Sequence, residues 1–252
     1  MHRGVWLWTG RKPAHCGHEQ QPHTQDRGAT GIISTVAGNV SSGDSNAGLV
    51  VDNGPATSDS LNQPEGITKD VGGNLYIAHT SNHRIRRVDA ATSIVTTVAG
   101  NKYTDPVSSV GGNAGDNCQA TNSKLSFHFA VAFDSSGNMR IPVTNNSVVR
   151  MVNCSGIIIT FAGIGSQGHE GDSGPATAAT LFPQSGVIVD PAGNFYIAET
   201  QNAEIRKVSP ATKIISIYAD YLVTEYTTPT PFQYDLTFYT GIELEKKYPD
   251  AI

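Results

Sequence analysis

Apolar residues fall in short runs bounded by Gly, Asn, Asp, Ser and Pro, a pattern that predicts strands joined by tight turns. The runs recur. Ile32-Ile-Ser-Thr-Val-Ala-Gly38 returns as Ile94-Val-Thr-Thr-Val-Ala-Gly100 and Ile157-Ile-Ile-Thr-Phe-Ala-Gly163, with a weaker copy at Ile214-Ile-Ser-Ile-Tyr-Ala-Asp220. A second block, Gly54-Pro-Ala-Thr57, returns as Cys118-Gln-Ala-Thr121 and Gly174-Pro-Ala-Thr177. A third, Asp70-Val-Gly-Gly-Asn-Leu-Tyr-Ile-Ala78, returns at 134–142 and 190–198.

The spacing between blocks separates framework from insertion. The Ala of the second block stands 18 residues before the Asn of the third in every copy (56→74, 120→138, 176→194). From that Asn to the fifth residue of the next Val-Ala-Gly run is 24, 23 and 24 residues. From the run's Gly to the next Ala, by contrast, the distance is 18, 20 and 13. Length variation is confined to one loop per unit, and in repeat architectures such loops lie on one face, often the binding face.

Each unit predicts four antiparallel strands. Glu65-Gly-Ile-Thr68, Ala130-Val-Ala-Phe133 and Gly186-Val-Ile-Val189 suit a strand buried on both sides. An Asp-x-x-Gly-Asn turn follows, with Asp at its first position and a Gly able to take positive φ. Asn74-Leu-Tyr-Ile-Ala78 is the second strand. After a turn that always holds Thr and Asn (Thr80/Asn82, Thr144/Asn146, Thr200/Asn202) comes a third, Arg84–Val88 and its copies. The Val-Ala-Gly run is the fourth and is expected outermost. Repeated four-stranded units describe the blades of a β-propeller.

Residues 74–88, Asn-Leu-Tyr-Ile-Ala-His-Thr-Ser-Asn-His-Arg-Ile-Arg-Arg-Val, together with Gly54-Pro-Ala-Thr57, resemble an NHL-repeat propeller of the long-loop Gly-Asp-Gly-Gly-Pro-Ala-Thr type. The resemblance covers roughly residues 32–220. It implies an all-β fold: a partial propeller of about three four-stranded blades (54–100, 118–163 and 174–219) plus the outer strand of a fourth. NHL propellers usually close with six blades, so a homodimer closing a six-bladed ring is one expectation. Repeat 2 departs from the pattern, with Ala130 in place of Gly66 and Gly186, Phe127-His-Phe129 in place of a Pro-containing turn, and Pro142 inside a strand. Residues 1–30 show no periodicity and read as a flexible tail; residues 221–252 form a non-repeat, Tyr-rich C-terminal segment.

Composition narrows function only by exclusion. Charged residues are 15% of the chain, Gly numbers 26 and Pro 13, and the net charge is −5, so no electrostatic nucleic-acid binder is indicated. The loops carry Asp44, Asp52, Asp59, Asp105, Asp116, Glu170 and Asp172, which would repel phosphate. No apolar run reaches the length of a membrane span. Cys16, Cys118 and Cys154 are too few for a disulfide framework, and the sequons at Asn39, Asn145 and Asn153 say nothing of compartment. The histidines lack zinc-site spacing, Gly43-Asp-Ser-Asn46 and Gly168-His-Glu-Gly-Asp-Ser-Gly174 lack the calcium-loop order, and no Ser-His-Asp set, P-loop or nucleophile elbow occurs. No catalytic residue, metal ligand or cofactor is assigned.

Candidate ligand contacts come from the Thr-Asn turn, which the resemblance places near the central channel on the same face as the variable loop. They are His79, Asn82, His83, Asn145, Asn146, Glu199 and Asn202. Asn tolerates the left-handed conformation such turns need, and position 79 varies as His79, Val143 and Glu199 where NHL units often carry Asp. The recurring Asp70, Asp134 and Asp190 read as turn-fixing residues rather than catalytic acids. The resulting expectation is a non-enzymatic interaction module for a protein or carbohydrate ligand. The alternative, drawn from propeller enzymes, is a metal-dependent lyase or lactonase with its site in the channel.

Overall fold

The computed structural model describes residues 33–39, 52–101 and 115–220, with the backbone of Trp6–Leu7, Ala14–His15 and His23–Asp26. The variable segments 40–51 and 102–114, with Asp44 and Asp105, and the C-terminal segment 221–252 lie outside the described residues. One compact unit spans Met1–Ala219; the other begins at Asp220.

The described residues form four antiparallel sheets. The first sheet orders β1 (Trp6–Leu7), β2 (Ala14–His15), β3 (His23–Asp26) and β4 (Ile33–Ala37). Its first three strands fall where the sequence suggests a tail. They are two to four residues long, too short for an alternation of apolar and polar positions to show.

Blade 1 consists of β5 (Gly54–Pro55), β6 (Pro64–Lys69), β7 (Leu75–His79), β8 (Arg84–Val88) and β9 (Ile94–Ala99), ordered β5-β9-β8-β7-β6. Blade 2 repeats it with β10 (Cys118–Gln119), β11 (Ala132–Phe133), β12 (Met139–Val143), β13 (Val148–Val152) and β14 (Ile157–Ala162). Blade 3 comprises β15 (Gln184–Val189), β16 (Phe195–Glu199), β17 (Glu204–Val208) and β18 (Ile215–Asp220). The Val-Ala-Gly strand is therefore not the outermost in blades 1 and 2: β5 and β10, cut from the Gly-Pro-Ala-Thr block, pair outside it. In blade 3 the same place holds a single bridge, Pro175 to Ile214.

That block is also the stitch between blades. The Ala56 carbonyl accepts the N–H of Gly38 (2.9 Å) in the preceding sheet, while the Ala56 N–H donates to Ser93 (2.9 Å) in its own blade. Ala120 and Ala176 do the same with Gly100 and Gly156, and with Gly163 and Lys213. The fixed 18-residue spacing follows, because both ends of the segment are pinned.

Apolar packing runs from blade to blade. Ala78, Ile85 and Ala99 of blade 1 pack against Leu125, Val131, Met139, Ile141 and Ile158 of blade 2. Ala132, Val149 and Ala162 of blade 2 pack likewise against Leu181, Val187, Phe195, Ile197 and Ile215 of blade 3. Ala37 of the first sheet joins the opposite face of blade 1. Repeat 2's departures have local consequences. β11 shrinks to two residues, opposite Met139 and Arg140, so Pro142 lies beyond the paired stretch on that edge.

The Asp-x-x-Gly-Asn turns are alike in all three blades. The Asp70 carboxylate accepts the Asn74 backbone N–H (2.9 Å) and side-chain amide (2.8 Å), and Gly73, Gly137 and Gly193 sit at φ near +80°. Asp134 and Asp190 repeat those bonds. Each aspartate is held below its usual range because these hydrogen bonds outweigh, in sum, the largest single effect, its desolvation.

Candidate functional site

The Thr-Asn turns form at the ends of β7, β12 and β16. The first two are single turns of 3-10 helix, Thr80–Asn82 and Thr144–Asn146. The left-handed residue is not the Asn but the next one: His83, Ser147 and Ala203 have φ of 53°, 51° and 53°. The Asn stays inside the turn because its side chain is used inward. In blade 1, His79 Nε2 accepts the backbone N–H of Asn62 (2.6 Å) and meets the Asn82 side-chain nitrogen at 2.8 Å, which places the ring proton on Nδ1. In blade 3, Glu199 Oε2 accepts the N–H of Phe182 (2.9 Å) and of the Asn202 amide (3.0 Å). His79 and Glu199, each wholly buried, thus do the same work with different chemistry, tying the incoming chain to the turn. Val143 in blade 2 cannot accept, and the buried Asn146 Nδ2 is left without a hydrogen-bond partner.

Of the seven candidate contacts, His79, Asn82, Asn146 and Glu199 are buried and lie within the scaffold. Asn145 is exposed; His83 and Asn202 are half-buried. His83 meets the ring of Phe127, which is 38% exposed, edge-on at 5.4 Å across the seam between blades 1 and 2. The turns also join neighbouring blades: Thr80 Oγ1 donates to the His128 carbonyl and Thr144 Oγ1 to the Gln184 carbonyl, both at 2.8 Å.

Burial governs the titration of this region. It pushes Glu199 up to about 7, against the opposing pull of the Phe182 N–H and the Arg206 guanidinium, with Glu204 adding to the rise. It lowers His128 to about 4, so this imidazole is neutral at pH 7, its Nε2 2.7 Å from the Arg84 carbonyl oxygen. His83 is lowered by the same cause.

A second recurring constellation has no counterpart among the sequence-derived candidates. The central residue of each third strand is an arginine, Arg86, Arg150 or Arg206, and all three are at most 1% exposed. Each pairs with an aspartate 34 residues earlier, at the end of a variable loop: Arg86 with Asp52 (2.7 Å), Arg150 with Asp116 (2.5 Å) and Arg206 with Asp172 (3.1 Å). Arg86 also bonds Thr97 and holds the fully buried Asp59 at 3.2 Å. Arg206 adds the carbonyls of Thr180 (2.7 Å) and Glu170 (3.3 Å) and lies 3.7 Å from Glu199. The signal stands in the sequence as a constant Asp-to-Arg spacing across three units. It escapes notice because an arginine in a strand and an acid in a loop each read singly as solvated surface. Four of the loop acids, Asp52, Asp59, Asp116 and Asp172, are therefore charge-compensated from within the blade, and the loop face is less negative than its acid count suggests.

The loop of blade 3, residues 164–173, is held by this arginine together with Thr180, whose Oγ1 accepts the Glu170 N–H at 2.9 Å. No group of three His, Cys, Asp or Glu side chains among the described residues is placed to hold a metal ion. Cys118 and Cys154 are free and exposed. No described helix is long and apolar enough to cross a membrane.

No protein-family model and no curated protein sequence matches the chain. Solved structures do match by shape. A Bacteroides thetaiotaomicron protein of unknown function aligns at TM-score 0.56 and 14% identity, over 82% of this chain and 44% of its own. A catalytically inactive virginiamycin B lyase from Staphylococcus aureus, with quinupristin, aligns at 0.51 and 13%, over 90% and 55%. The nidogen/laminin complex contributes a chain at 0.50 and 12%, over 87% and 62%. The fold is a β-propeller. At these identities the propeller likeness carries shape alone, and the chain spans about half the length of the structures it matches.

Proposed function

We propose that this chain is a non-enzymatic, NHL-type interaction module that binds a protein or carbohydrate ligand through the variable-loop face of its propeller. The carrying observation is the contrast at each loop's end. Length varies freely between the Gly of one sheet and the Ala of the next blade, yet every loop closes on an aspartate clamped by a buried arginine. A rigid scaffold presenting variable, anchored loops is a common arrangement for recognition. Of the turn residues, Asn145, His83 and Asn202 have side-chain surface to offer a ligand; His79, Asn82, Asn146 and Glu199 are buried in the scaffold.

The experiment replaces residues 40–51 and 164–169 with Gly-Ser linkers, leaving Asp52 and Asp172 in place, and compares binding on a panel of immobilised glycans and by cross-linking capture. The replacements are expected to abolish what the wild-type chain binds, with an unchanged circular dichroism spectrum. Capture that survives both replacements overturns the reading. So does lyase or lactonase turnover that vanishes on chelation and returns with metal.

A further inference from the structure

Three faces in this molecule receive a blade and are filled, those of the first sheet, blade 1 and blade 2; the face of blade 3 carries the same construction. On blade 1 the receiving face is Ala78, Ile85 and Ala99, all wholly buried under blade 2, with Thr80 donating across the seam. On blade 2 it includes Val149 and Ala162, wholly buried under blade 3, with Thr144 donating across. The equivalent positions of blade 3 are Ala198, Ile205, Ala219 and Thr200. Here Thr200 is exposed, Ala198, Ile205 and Ala219 are half-open, and Ile188 on the same face is 63% exposed.

A glycine sharpens the comparison. A Cβ on Gly66 of blade 1 would collide with the Phe129 carbonyl and lie 2.9 Å from the Ala130 Cα, so that glycine exists to let the next blade's backbone approach. Blade 2 has Ala130 there and pairs its first strand only from Ala132. Blade 3 retains glycine, Gly186, where the nearest described atom to a Cβ would be the Ala198 Cβ at 4.0 Å. The close-approach residue is present without the approach.

The residue that ends blade 3 differs from those at the other crossings. Each crossing to the next blade passes through a Gly, and those at Gly100 and Gly163 have φ of 88° and 91°. A Cβ on either would strike the carbonyl of His83 or Ser147. The corresponding residue after blade 3 is Asp220, an extended residue of β18 that carries the Cβ the crossing excludes.

We propose that the Ile188–Ala198–Ile205 face of blade 3 is a docking surface for a second copy of this chain, whose first sheet (β1–β4) takes the place of the next blade. Continuity with the three filled seams supplies the chemistry of the contact. The first sheet stands at the opposite end of the same series of sheets, so two copies related by a twofold axis make the contact twice and close. With the four sheets that the described residues form in each copy, the ring has eight, not the six expected from three blades per chain.

Light scattering on a size-exclusion column tests this directly. The wild-type chain is expected at twice 26.7 kDa, and Ile188→Asp or Ile205→Asp at 26.7 kDa with unchanged circular dichroism. The affinity between copies should fall by about a hundredfold or more, since each variant buries an unpaired charge. Val71→Asp, at a fully exposed turn, should stay dimeric. Should the aspartate variants fail to fold, Ile188→Cys serves instead, its alkylation followed by peptide mass spectrometry and expected to slow as protein concentration rises. A wild-type monomer overturns the proposal, as do dimers that survive both substitutions or alkylation independent of concentration. Slow alkylation of a monomer would mean the chain's own residues cover the face. Neither measurement involves the loops or a ligand, so this proposal and the binding reading fail separately.

Discussion

At the scale of single residues, two buried charges dominate. Arg86 neutralises the fully buried Asp59 and also reaches Asp52, whereas Arg150, among the described residues, pairs with Asp116, whose side chain is partly in solvent. Removing one partner of a buried pair strands the other charge, at about 3–5 kcal/mol; a solvated partner rehydrates at little cost. Arg86→Met should therefore destabilise the fold by about 3–5 kcal/mol, and Arg150→Met by clearly less, in urea melts of the two variants. Glu199 gives the pH counterpart. Its folded pKa is about 7 against an ordinary 4.5, so between those values the folded state holds a proton that the unfolded state has lost. The stability associated with that proton is complete below pH 4.5 and declines as pH rises through 7. Thermal melts of the wild type should show this decline, and Glu199→Gln, which keeps an acceptor for the Phe182 N–H, should flatten it. An identical pH profile in the variant would place the titration elsewhere.

At the scale of the element, a single repeat position has opposite requirements in different blades. Gly66 and Gly186 align in the first strand, and neither is at positive φ, so only their surroundings differ. Gly66→Ala drives a Cβ into the backbone of blade 2 and should cost about 1–3 kcal/mol. Gly186→Ala meets nothing nearer than 4.0 Å and should be neutral, or stabilising by up to about 1 kcal/mol, in melts at low protein concentration. Equal losses for both would mean blade 3 is packed as blade 1 is. The strands and hairpin turns were legible in the sequence because each rests on local chemistry: apolar runs, an Asp-to-Asn turn and a glycine at positive φ. The outer edge strand was not. Gly54-Pro55 and Cys118-Gln119 have no strand-like pattern and become strands only because β9 and β14 offer them an open edge. The same holds for Trp6–Leu7, Ala14–His15 and His23–Asp26, whose partners define them.

At the scale of the whole molecule, the repeat spacing by itself determined that the chain builds successive antiparallel blades on four recurring strands, with one variable loop each. Periodicity is a property of the chain, and a blade is the unit its period encodes. Which polar residues face solvent was decided only by tertiary structure. His79 and Glu199 vary between units as a contact residue would, and each is wholly buried because the chain arriving from residues 56–63 or 176–183 caps it. The arginines on the third strands read as surface charge until the neighbouring loop folds back with an aspartate. The open face of blade 3 belongs to the same class. Ala198 and Ile205 are written in the sequence as core, matching Ala78 and Ile85. Whether such a residue is core depends on a blade lying against it, and burial, unlike periodicity, is a property of the neighbour as much as of the residue.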